Sequence, residues 1–178
     1  MTIVVCPLSK VRQMIVGHAP GRIVSLLDPG IAFPDAGPTY AGRHLRLCFH
    51  DIHSADGGYI VPTADHVRVL IAFLTAWDRA APLLVHCHAG IGRSTATAFI
   101  AACLHNPHSD ELEIAVALRR VAPLARPNET LVKLADAALA RGGRMSRAIA
   151  KTGRHLPWID VPEADPFELP SKFRIVSR

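Results

Sequence analysis

Residues 86–94 read His86-Cys87-His88-Ala89-Gly90-Ile91-Gly92-Arg93-Ser94. Taken as one object, this is a nucleophile, a flexible turn and a fixed cation. Cys87 leaves the end of a short apolar run, Leu83 to His86, and Arg93 stands where a helical pattern begins. Backbone N–H groups in such a turn point inward and form an anion cradle, and the start of the following helix adds positive partial charge. Gly90 and Gly92 allow the backbone angles and the close approach that the cradle needs. The same field is expected to favour a thiolate at Cys87. A thiolate beneath a bound phosphate is placed for in-line attack on phosphorus, giving a phosphocysteine. Arg93 offers a planar fork that grips two phosphate oxygens, a geometry lysine lacks. The expected phosphate shell is His88, Ala89, Gly90, Ile91, Gly92 and Arg93, and its catalysis is positioning and charge stabilisation.

A departing phenolic or alcoholic oxygen also needs a proton, which a carboxylic acid can donate. The upstream candidates are Asp51, Asp56 and Asp65. Asp65 falls in the first turn of an expected helix, where a carboxylate complements the helix dipole.

The elements that must position these groups follow from the apolar periods. Thr2–Cys6, Arg22–Leu27, His44–Phe49 and Leu83–His86 read as strands, rich in β-branched and apolar residues and bounded by turn formers. Ser9–Val16 reads as a short helix and residues 28–42 as a Pro- and Gly-rich loop. Thr63 can cap a helix carrying Val67, Leu70, Ile71 and Leu74 at helical spacing. Further helices are expected over about 93–104, 109–121, 128–141 and 144–151. Strands alternating with helices predict an α/β fold. The expectation is a single domain over residues 1–150, with a central, mostly parallel, four- to five-stranded sheet flanked by helices. A Pro-containing C-terminal tail, 151–178, packs on it as irregular chain.

Bulk properties agree with such a domain. The 178 residues suffice for one core, and 49% hydrophobic with 20% charged residues is ordinary globular composition. No apolar run approaches the roughly 20 residues of a membrane span, and the start lacks the basic and apolar regions of a secretion signal. The expected location is the cytoplasm. Cys6, Cys48, Cys87 and Cys103 form no CxxC pair, so free thiols are expected rather than a zinc site or a disulfide scaffold. The net charge of +5 suits an anionic substrate. There is no dense Lys/Arg run and no aromatic stacking pattern, which argues against nucleic acid.

The pattern H-C-x5-R-S resembles the signature of the protein tyrosine phosphatase superfamily, and HCHAGIGRS is similar to its glycine-containing form. The resemblance implies that Cys87 is the nucleophile and that Arg93 binds the phosphoryl group. It implies that Ser94 assists the leaving thiolate when the intermediate hydrolyses, and that His86 orients the loop. In the smaller, dual-specificity-like members an Asp on a loop after an upstream strand is the acid. Asp51 follows its strand in that way, while Asp56 lies nearer the family's common spacing to the cysteine; Asp51 is preferred and Asp56 stays open. Arg126-Pro127-Asn128, followed by Leu131 and Leu134, resembles the segment whose Asn braces the phosphate loop in those members, and Asn128 also suits a helix N-cap. The motifs span about residues 44–140.

The implied activity is hydrolysis of phosphotyrosine in a phosphorylated protein substrate, with phosphoserine or phosphothreonine as a further target. Phosphate or another oxyanion would occupy the loop, and neither metal nor cofactor is required. A phosphoinositide or small-ester phosphatase is the alternative, disfavoured because the loop holds no Lys; a non-catalytic phosphate-binding module is another, disfavoured because both Cys87 and Arg93 are present. His44, His50 and His53 supply ligand types for a metal, but their spacing matches no helical metal motif; His50 and His53 are expected instead at the rim. Cys48 is expected as a core thiol, with a redox pairing to Cys87 as the rival.

Overall fold

The alternation of apolar periods is realised as five strands and six helices among the residues that the computed structural model describes, 1–52, 56–153 and 162–174. In chain order they are β1 (Thr2–Pro7), α1 (Val11–His18), β2 (Arg22–Leu27), β3 (His44–Cys48), α2 (Ala64–Thr75), β4 (Leu83–Cys87), α3 (Arg93–His105), α4 (Glu111–Val121), α5 (Glu129–Ala138), α6 (Arg144–Gly153) and β5 (Phe167–Pro170). The sheet order is β3-β2-β4-β1-β5. The first four strands run parallel, and β5 joins β1 antiparallel. The carboxyl ends of the parallel strands therefore share one edge, which is where open α/β sheets place their ligands.

Both faces of the sheet are covered. On one, Val11 of α1, with Met14 and Ile15, packs against Val4, Cys6, Ile23 and Leu84. On the other, Ile3, Val5, Val24, Leu26, Val85 and Cys87 meet α2 through α6. β4 is buried along its whole length because it lies between β2 and β1 and beneath α3. α3 is buried from Arg93 to Cys103. Its run of Ser, Thr and Ala keeps it thin enough for the sheet on one side and α4 and α5 on the others. A helix enclosed in this way shows no apolar stripe, yet it holds the site's floor.

The helix starts have chemical causes. Thr63 accepts a hydrogen bond from the His66 N–H, and the His66 ring accepts one from the Thr63 N–H, so α2 begins in a reciprocal cap. Asp110 caps α4 through the Leu112 N–H. The buried carboxylate of Glu111 lies 3.3 Å from Arg141 and 3.0 Å from Arg144, tying α4 to α6 and to the segment before it.

The tail departs from expectation. α6 runs to Gly153, across the boundary anticipated at residue 150. Phe167–Pro170 is an edge strand, where a proline is tolerated because no ladder lies beyond it. Leu169 is fully buried, worth roughly 2 kcal/mol for a side chain of that size. Ser171 donates to the Met1 carbonyl, and the Phe173 N–H donates to Asn106. Phe167–Pro170 thus belongs to the sheet. Among the described residues no helix is long and apolar enough to cross a membrane.

Candidate active site

The segment from Cys87 to Arg93 leaves β4 at the carboxyl edge of the sheet and enters α3 directly. Its shape follows from where its carbonyls go. The Cys87 carbonyl lies 3.4 Å from Nδ1 of the His86 ring. The His88 carbonyl accepts from the Leu8 N–H at 3.0 Å, and the Ala89 carbonyl from the Ala164 N–H at 2.9 Å. The Ile91 carbonyl accepts from the Arg126 N–H at 2.9 Å, and the Gly92 carbonyl from the Asn128 N–H at 3.3 Å. The Thr95 hydroxyl adds bonds to the last two. In a trans peptide the N–H points opposite to the C=O. Pinning these carbonyls outward therefore turns the N–H groups of residues 88, 89, 90, 92 and 93 into the loop. That is an anion cradle, completed by the start of α3.

One glycine is forced by this geometry, and a second makes room for Asp51. Gly90 has φ +75, and a Cβ there would sit 3.0 Å from the Pro7 nitrogen. At Gly92 a Cβ would overlap the Asp51 carboxylate.

Cys87 is buried in the floor, its Sγ 3.1 Å from the Ser94 hydroxyl. Arg93 is buried as well. Its Nη1 donates to Asp28 Oδ1 at 3.0 Å and to the Phe49 carbonyl at 2.5 Å. Its Nε has no hydrogen-bond acceptor among the described residues, the nearest carboxylate oxygen being Asp51 Oδ2 at 3.9 Å. Within the loop His88 is exposed, Ala89 and Ile91 are half-buried, and Gly90 and Gly92 are buried.

Asp51 lies over the loop. Asn128 donates to its Oδ1 at 2.8 Å. The same Asn128 accepts from the Leu131 N–H as N-cap of α5, while its own N–H holds the Gly92 carbonyl. One side chain thus joins Asp51, the 87–93 loop and α5. Asp56 opens a short turn, Asp56–Gly58, but its side chain lies outside the described residues, as does His53. His50 closes the stem of the Asp51 loop: its N–H donates to the Ile60 carbonyl, and its Nδ1 accepts from the Ile60 N–H. Tyr59 packs edge-on against the His50 ring, with centroids 4.9 Å apart. Asp65 is exposed and pairs with Arg68 within α2.

The cysteines divide by environment. Burial pushes the Cys6 thiol up to about 12, with the neighbouring Cys87 adding to it, and drives Cys103 up as well. Cys48 is exposed, not a core thiol. It alternates with Leu47, so it points to the face opposite Cys87, with β2 between the two strands. Two strand spacings are ~9.5 Å, beyond the reach of a disulfide. The redox pairing is therefore not built into this fold.

Asp28, which holds Arg93, is absent from the expected site residues. It directly follows β2, the strand beside β4, and its usable signal was a lone carboxylate just past the carboxyl end of a parallel strand.

Comparison with known proteins gives a consistent result. The family model for protein-tyrosine phosphatase matches residues 58–126. No curated protein matches the chain. The crystal structure of the Cydia pomonella PTP-2 phosphatase has a TM-score of 0.52 at 23% identity, covering 75% of this chain and 83% of that one. DUSP15 gives 0.56 at 15% identity, covering 86% and 91%. PTPMT1 in complex with PI(5)P gives 0.52 at 16% identity, covering 78% and 91%. At these identities the likeness is one of fold.

Proposed function

We propose that the chain is a phosphatase of the protein tyrosine phosphatase superfamily, whose family model matches residues 58–126 and whose fold it shares, and that it hydrolyses phosphotyrosine in proteins through a phosphocysteine. The observation that carries this reading is Arg93. Its Nη1 is tied off by Asp28 and the Phe49 carbonyl, and its buried Nε is left without an acceptor beside the cradle. A buried guanidinium N–H without a partner is costly, and a phosphoryl oxygen supplies the acceptor.

The steps follow from position. Phosphate oxygens take the inward N–H groups and the Nε edge of Arg93. Cys87 Sγ attacks phosphorus as the bond to the leaving oxygen breaks, and Asp51 gives that oxygen its proton. Water then attacks the phosphocysteine with Asp51 as base, and the Ser94 hydroxyl donates to the departing thiolate. The free cysteines suit action in a reducing compartment, the cytoplasm.

Phosphoserine and phosphothreonine are further substrates to the extent that the pocket is shallow. PTPMT1, with bound PI(5)P, is a neighbour in fold. The present loop offers His88, Ala89 and Ile91 and no Lys to a second phosphate, which favours the phosphoprotein. Turnover of para-nitrophenyl phosphate, lost in Cys87→Ser by about a thousandfold or more, tests the mechanism; unchanged turnover overturns it. Greater kcat/KM on an inositol phosphate headgroup than on phosphotyrosine peptides would reassign the substrate.

A further inference from the structure

The sheet face opposite the thiol carries a row of polar side chains that the mechanism above does not use. β3, β2 and β4 are consecutive neighbours, and Ser25 of β2 is the register partner of His86 on β4. His44 of β3 alternates with Leu45 and so shares that face. Ser25 and His86 are fully buried and His44 half-buried. Ser25 Oγ lies 2.5 Å from His86 Nε2 and 2.7 Å from His44 Nε2.

Proton bookkeeping gives the row a direction. A hydroxyl carries one proton, so between two ring nitrogens it donates to one and accepts from the other. The Cys87 carbonyl is an acceptor only, so the His86 nitrogen facing it, Nδ1, carries the proton. The neutral ring then has a bare Nε2, which accepts from Ser25. The Ser25 oxygen in turn accepts from His44 Nε2–H, leaving a bare Nδ1 on His44. That atom is buried without a partner among the described residues, where a bare acceptor is better tolerated than an orphaned N–H.

We propose that Ser25 and His44 are positioning residues of the phosphate loop: they hold His86 in its Nδ1–H tautomer, which keeps the Cys87 carbonyl turned outward and the His88 N–H turned into the cradle. With the other tautomer a bare lone pair would face that carbonyl, and the peptide would be released. The surroundings keep both rings neutral. Burial lowers His86 to about 4, aided by His44 and Arg93 and opposed by the Cys87 carbonyl. Burial likewise lowers His44 to about 4, aided by Arg46.

The inference rests on reading the loop as a phosphate site, and its test separates the two. Nitrogen-15 NMR of the histidine rings in the full chain at pH 7 is expected to show the proton on Nδ1 of His86 and on Nε2 of His44. The reverse pair of tautomers overturns the relay whatever the activity. Vanadate affinity is expected to fall about tenfold in Ser25→Ala, the loss of the hydrogen bond that orients His86. It should fall less in His44→Phe and stay near wild type in His44→Gln, whose amide can donate to Ser25. If His44→Gln is as weak as His44→Phe, or Ser25→Ala binds as wild type does, the relay has no positioning role. If wild type binds no vanadate, the phosphate-site reading falls and takes the positioning role with it.

Discussion

The two loops that face each other across the site are built in opposite ways. The proposed phosphate loop, 87–93, has its carbonyls held by β1's exit, the tail, the segment before α5, α3 and a histidine ring. The Asp51 loop is stitched at its stem by the His50–Ile60 pair, and Asp51 itself is held by Asn128. A cradle of dipoles must be in place before charge arrives, since reorganising it during reaction would cost what it is meant to provide. An acid has to hand over a proton and take one back, and needs one well-placed support rather than a frame. Asn128 is where the two designs meet.

This contrast can be broken at graded points. Arg93→Lys keeps the charge but loses the fork and the Asp28 and Phe49 bonds, and kcat/KM on para-nitrophenyl phosphate is expected to fall by about 10³. Asp51→Asn should lower kcat by about 10² while vanadate affinity and thermal stability stay near wild type. The same change at Asp56 should leave kcat within a factor of ~2; a larger loss there than at Asp51 would exchange their roles. Asn128→Ala touches both loops and the α5 cap. It is expected to cost about tenfold in kcat/KM and ~1 kcal/mol of stability by denaturant titration.

The gentlest probe is pH. The rings of His86 and His44 are held below the ordinary histidine value, to about 4, so between that value and 6.5 the unfolded chain binds more protons than the folded one. Their contribution is complete above pH 6.5 and is lost as pH falls toward 4. Stability is expected to decline over that window by on the order of 1 kcal/mol per pH unit. A melting temperature flat from pH 7 to 5 would show that the row is not buried as described.

Much of this was legible in the residues themselves. The nine residues from His86 to Ser94 announce strand, turn and helix together, because a cradle for an anion needs all three in covalent sequence. Thr63 and Asn128 announce helix starts, because capping is local. What stayed illegible was non-local. Phe167–Pro170 carries too little pattern to be a strand until β1 offers it an edge. Nothing in Ala164 or Leu8 marks them as braces, since they act through backbone groups every residue has.

The sequence by itself determined the strand-turn-helix segment that carries the proposed nucleophile, because its parts are contiguous and its chemistry depends on residue type and spacing. Only the tertiary structure decided what surrounds it: Asp28 on Arg93, Asp51 held over Gly92, and Ser25 between two histidines. These pairings are made by strand order and register across the sheet, and side chains brought together that way leave no common period or spacing along the chain.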